Sequence, residues 1–71
     1  MPTEICAHIT GTVWKIEVTP GQAVAEGDVV LILESMKMEM PLEAPRAGTI
    51  GDIKVKEGDP VQEGAVVMTL A

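Results

Sequence analysis

Apolar positions along this chain come in short runs separated by glycine-centred breaks, and the runs occur twice. Gly11-Thr12-Val13 opens an apolar stretch that ends at Val18, and Pro20-Gly21 breaks it. Glu26-Gly27-Asp28 marks a second turn before Val29-Val30-Leu31-Ile32-Leu33. The same punctuation returns at Glu57-Gly58-Asp59 and Gln62-Glu63-Gly64, ahead of Val66-Val67-Met68-Thr69-Leu70. Runs of about four to six residues between such turns predict short strands, and hence a sandwich or a barrel. Val13 and Ile16 stand three apart instead of two, as do Ile50 and Ile53, which predicts a bulge or bend in each copy. The run from Val29 to Leu33 does not alternate. Its partner replaces Ile32 by Thr69, so the Ile32/Thr69 face is expected to be the wetter one, with Val29, Leu31 and Leu33 pointing inward.

Residues 7–33 lie over residues 44–70 without a gap, and 12 of the 27 pairs are identical. The conserved pairs include Gly11/Gly48, Gly21/Gly58 and Gly27/Gly64 together with apolar pairs such as Ile16/Ile53, Val24/Val61 and Leu33/Leu70. Two units are too few for a solenoid. They can close on each other about a pseudo-two-fold axis, giving two similar sheets that each draw strands from both copies around a Val/Ile/Leu core. The glycines supply turn geometry. Their spacing is not that of a phosphate-binding loop, and no helix follows them.

Glu34 to Met40 joins the two copies, and its symmetry counterpart is the gap between Ala71 and Met1. The joint is therefore expected at one end of the domain, with the termini at the other. A strand running unbroken from Val29 to Glu43 would be far longer than the usual five or six residues. A reversal near Met36-Lys37 is the economical reading, although no Asn-Gly or Asp-Gly is present to favour it. A lone Lys in a turn is ordinary solvated surface, and Met at 36, 38 and 40 ordinarily marks one buried strand face. At the centre of a two-copy chain, the broken turn rule makes this segment the candidate site.

Composition narrows the alternatives. The 71 residues make one domain, 1–71, with 46% apolar residues, no Phe or Tyr, and Trp14 as the only aromatic. A net charge of −6 argues against nucleic acid and anionic membranes, and no run approaches the roughly 18 apolar residues of a membrane helix. The single Cys6 excludes an internal disulfide and fits a reducing compartment, so the protein is expected in the cytoplasm, or in mitochondria if cut from a longer precursor. One His and one Cys are too few for a metal site, and no Ser/His/Asp or Cys/His set suggests catalysis by the chain itself. His8 pairs with Pro45 in the repeat, a turn-adjacent place, and Trp14 pairs with Gly51, for which partial burial is expected.

The segment Glu34-Ser35-Met36-Lys37-Met38-Glu39 resembles the Glu-Ala/Ser-Met-Lys-Met motif of biotinyl domains in biotin-dependent carboxylases. Gly21-Gln22-Ala23-Val24-Ala25-Glu26-Gly27 and Gly58-Asp59-Pro60-Val61-Gln62-Glu63-Gly64 match that family's hinges, and the resemblance runs from about Ile5 to Leu70. It implies an all-β fold, a flattened eight-stranded barrel-sandwich of two quasi-symmetric halves, with Lys37 on an exposed hairpin. It further implies that a biotin protein ligase attaches biotin to Lys37 through biotinyl-adenylate. Exposed, adaptable Met36 and Met38 are expected to serve ligase recognition with Glu34 and Ser35, the alternatives being that the methionines pack beside the hairpin and that Glu34 and Glu39 keep the tip soluble. The domain, expected to be monomeric, would carry a carboxyl group from a biotin carboxylase to a carboxyltransferase acting on an acyl-CoA, as in acetyl-CoA carboxylase, or on a keto acid. Ser35 stands where Ala is commoner, and the gap-free repeat leaves no room for the protruding thumb of some carriers. Without a preceding Ala/Pro-rich linker, the chain resembles the small stand-alone attachment proteins, an excised domain being the alternative. Lipoyl domains share the fold but usually place Asp before the Lys and Ala after it. A lipoyl carrier and an unmodified adaptor module are the rival readings.

Overall fold

The computed structural model describes residues 3–71. Eight strands follow one another: β1 (Thr3–Cys6), β2 (Gly11–Ile16), β3 (Ala23–Val24), β4 (Val29–Ser35), β5 (Met38–Glu43), β6 (Gly48–Ile53), β7 (Pro60–Val61) and β8 (Val66–Leu70). They form two four-stranded antiparallel sheets, ordered β1-β8-β6-β3 and β5-β4-β2-β7. Moving 37 places along the sequence carries β1, β2, β3 and β4 onto β5, β6, β7 and β8, and so carries one sheet order onto the other. Each sheet draws strands from both copies, as the repeat requires.

The two copies are fastened to each other at their glycine turns. The Gly21 N–H donates to the Ile50 carbonyl (2.7 Å) and the Gly58 N–H to the Val13 carbonyl (2.7 Å). Likewise the Gly27 N–H donates to Ala44 (3.0 Å) and the Gly64 N–H to Ala7 (2.8 Å). All four glycines have φ between 89° and 95°, a region closed to most residues with a Cβ. Neither copy can complete its turns alone, so the repeat folds as one interlocked unit.

The bulges anticipated at Val13/Ile16 and Ile50/Ile53 are present. Val13 pairs with Leu33 and Lys15 with Ile32, which leaves Trp14 as the extra residue, 47% exposed. Its counterpart lies in the stretch from Ile50 to Ile53, where Gly51 replaces the bulky ring. A second pair of bulges corrects the inward set expected for the apolar runs. Val29 pairs with Glu43 but Leu31 with Leu42, so Val30 is the additional residue. Val30 and Leu31 are therefore both buried, whereas Val29 is pushed out to 36% exposure. The second copy repeats this at Val67 and Met68, with a register shift against Ile5/Cys6. Ile32 and Thr69 do occupy the wetter face, both only half-buried.

Fifteen apolar residues make a continuous core, with Val13, Val30, Leu31, Leu33, Val67, Met68 and Leu70 fully enclosed. Each such side chain contributes about 1.5–3 kcal/mol relative to exposure. Among the described residues, no polar or charged side chain is buried, so the core carries no chemistry and only holds the ends in place.

Candidate functional site: the β4–β5 hairpin tip

Cross-strand pairing runs from Leu33/Met40 through Glu34/Glu39 to Ser35/Met38, leaving only Met36 and Lys37 to make the reversal. Both have positive φ, 49° at Met36 and 69° at Lys37. Two central residues with positive φ are what a type I′ hairpin turn demands, and the demand is normally met by Asn-Gly. A residue with an ordinary side chain costs about 1–2 kcal/mol in the left-handed region. The right-handed twist of β4 and β5 forces this geometry on a two-residue connection, so the strain is concentrated at the two residues the sequence had marked out.

Exposure falls steeply from the tip toward the core. Met36 is 93% exposed and Met38 61%, Met40 is half-buried, and Leu42 is buried at 8%. Met38, Met40 and Leu42 alternate along β5 and share its inner face, which here runs out past the packed core. Met36 lies in the turn itself. Lys37 is exposed, and among the described residues its amine makes neither a hydrogen bond nor an ion pair. Glu34 and Glu39 face each other across the pair, both exposed, with Ser35 half-buried between Glu34 and the turn.

Beneath the tip, Ile9, Ser35, Met36, Met38 and Met40 line an open cleft of about 240 Å³. Sequence reasoning missed Ile9 because it comes from the bend before β2, far from the hairpin along the chain. Its repeat partner is Arg46, and that pairing gives no hint of a cleft. Gly11, two residues on, lets β2 close up against the end of β4. A Cβ there would fall onto the Glu34 carbonyl oxygen and lie 3.3 Å from the Ser35 Cβ. The hairpin is thus supported from below by backbone contact, while its tip stays free.

The chemistry available is that of an accessible primary amine. Among the described residues no hydrogen bond or ion pair engages the Lys37 amine, and Met36 and Met38 expose adaptable apolar side chains on either side of it. His8 and Cys6 are exposed and lie outside the cleft lining. The residues round the tip are distinct from those round the chain ends, where Arg46 contacts Thr3, Leu70 and Ala71.

Comparison with known proteins places these features in context. The biotin/lipoyl family model, described as "Biotin-requiring enzyme", matches residues 1–70. The chain is 43% identical over 44 residues to the biotin/lipoyl attachment protein of Bacillus subtilis, covering 62% of this chain and 60% of that protein. It is 42% identical over 48 residues to the biotinylated protein TB7.3 homolog of Mycobacterium leprae, covering 68% of each. Among solved structures, it superposes on the Kluyveromyces lactis urea carboxylase with a TM-score of 0.94 and 34% identity, over 100% of this chain and 6% of that one. A single-chain, multi-domain long-chain acyl-CoA carboxylase gives a TM-score of 0.90 at 28% identity, over 96% of this chain and 7% of that one. Alignment thus spans three fifths of the small attachment protein and a few hundredths of the large carboxylases.

Proposed function

The chain belongs to the biotin/lipoyl attachment family, and from that premise we propose that it is a biotin carboxyl carrier with Lys37 as its attachment point. The observation that carries the reading is the tip itself. A lysine with no hydrogen bond or ion pair among the described residues sits in a two-residue turn of strained backbone between two exposed methionines. Strain of this kind persists where the surrounding structure over-determines it, and it clusters at functional positions.

The residues present fit biotin. Attachment needs a primary amine on a long stem that can reach into another protein's active site, and Lys37 provides both. Its Nζ, once deprotonated, would attack the acyl carbon of biotinyl-adenylate held by a biotin protein ligase, forming an amide as the acyl-phosphate bond broke, with AMP leaving and the amine proton passing to solvent. Arg could not replace it, because a guanidinium stays protonated. When bound, biotin supplies a ureido nitrogen that carries a carboxyl group.

The remaining work is presentation. Met36 and Met38 give the ligase and the carboxylase subunits an apolar grip on both sides of the arm, with Glu34 and Ser35 completing the recognised face. The interlocked core holds the hairpin in place, and tethering raises the concentration of the cargo at the second site. The domain contributes no catalytic group. Biotin carboxylase and carboxyltransferase subunits are its partners, a role supported by similarity to portions of urea and acyl-CoA carboxylases. An exposed, unpaired Cys6 fits a cytoplasmic setting.

Intact mass after co-expression with a biotin ligase tests the assignment. One biotin gained with loss of water, and absent from Lys37→Ala, is the expected result. Modification by a lipoate ligase alone would move the protein to the lipoyl carriers, and no modification by either would make it an adaptor. Lys37→Ala should fold with an unchanged melting curve. If it unfolds, Lys37 is structural.

A further inference from the structure

We propose that Met36 and Met38 are an oxidation-sensitive modification site, at which a peroxide forms methionine sulfoxides that stop Lys37 from accepting biotin. This rests on the reading of Lys37 as the attachment point. The methionines of the described chain differ sharply in access: Met36 is 93% exposed, Met38 61%, Met40 half-buried and Met68 0%. The two most open thioethers are therefore the two residues flanking the acceptor lysine. Met68, sealed in the core, serves as an internal reference.

The reaction is self-contained. A sulfur lone pair attacks one peroxide oxygen, the O–O bond breaks, an S–O bond forms, and the proton on the transferred oxygen passes to the departing hydroxide, which leaves as water. Sulfur loses two electrons and the peroxide gains them. The product turns a flexible apolar side chain into a polar, chiral one. In the cleft lined by Ile9, Ser35, Met36, Met38 and Met40, the Ser35 hydroxyl is the only polar side-chain group. A ligase that covers this apolar surface would have to desolvate two sulfoxide oxygens against it. Neither Met36 nor Met38 belongs to the core, so oxidation acts on recognition and leaves the fold intact.

The test uses the full chain with Cys6→Ser, so that the exposed thiol does not consume oxidant. The protein is treated with hydrogen peroxide, the peroxide is removed, and peptide masses, melting curve and rate of biotin uptake with purified ligase are recorded. Oxygen is expected on Met36 and Met38 with Met68 spared and the melting curve unchanged. The uptake rate should fall by roughly tenfold or more, the factor corresponding to about 1.4 kcal/mol of lost contact. Treatment with methionine sulfoxide reductases for both epimers should restore it. Met36→Leu with Met38→Leu, whatever its own rate, should show no further fall on peroxide treatment. Full-rate uptake by protein oxidised at both residues would overturn the inference. So would oxidation of Met68 before the tip, or a loss of rate that persists in the double Leu variant. If untreated protein takes up no biotin at all, the attachment reading itself fails and this inference falls with it.

Discussion

Ile9 and Arg46 stand at equivalent positions of the two halves, 37 residues apart, and they close the two ends of the domain with opposite chemistry. Arg46 donates from Nε to the Thr3 hydroxyl (3.0 Å) and from its other nitrogens to the carbonyls of Ala47, Leu70 and Ala71. It ties β1 to the end of β8. Ile9 makes no such clamp and instead lines the cleft under the hairpin. The repeat is kept where packing and turns require it and departs from itself at these two ends.

Arg46→Ala should therefore destabilise the domain by about 1–2 kcal/mol, since several hydrogen bonds from a charged donor are lost together. Biotin uptake at Lys37 should be unchanged, because the clamp and the tip share no residues. Urea unfolding and a ligase assay on the same variant check both halves of the statement. A variant of normal stability would show that the terminal β1–β8 pairing needs no clamp.

Much of this was readable before the structure. The repeat placed the glycine turns and the cross-copy sheets, and the three-residue spacing of Val13/Ile16 announced the bulge at Trp14. The reversal at Met36-Lys37 followed from strand length alone. What escaped were contacts between residues distant in sequence. A bulge at Val30 turns Val29 outward, but in a run of five apolar residues no polar position marks the break in register. The Arg46 clamp and the placing of Ile9 in the cleft depend on how loops settle against strand ends, and periodicity carries no information about that.

Gly58→Val should cost about 1–3 kcal/mol. At φ 95° no Cβ is comfortable, yet nothing lies within 4 Å of where the new Cβ would sit. The penalty is thus purely conformational and would be paired with loss of the Gly58–Val13 hydrogen bond if the turn relaxes. Gly58→Ala should lose less than Gly58→Val, because a β-branched side chain tolerates positive φ worst. Unchanged stability of both variants in chemical denaturation would contradict the backbone argument.

Glu39→Lys should raise stability by about 0.2–1 kcal/mol, replacing a like-charge pair opposite Glu34 with an attractive one. The gain should shrink in high salt, which screens exposed charges. Parallel denaturation curves at low and high ionic strength would reveal it. A gain insensitive to salt would mean that strand propensity, and not the Glu34–Glu39 repulsion, was responsible.

Replacing Met36→Asn and Lys37→Gly together should stabilise the hairpin by about 1–2 kcal/mol, because Asn and Gly enter the left-handed region far more readily than Met and Lys. The same change removes the acceptor amine and half of the methionine pair, so biotin uptake should vanish. Stability and acceptance would move in opposite directions from the same pair of substitutions. Met36→Asn alone, with Lys37 retained, should capture part of the stability gain and slow biotin uptake without abolishing it. If neither variant melts higher than the parent, the positive φ values at Met36 and Lys37 are relaxed by their surroundings. The tip would then present its lysine without holding strain.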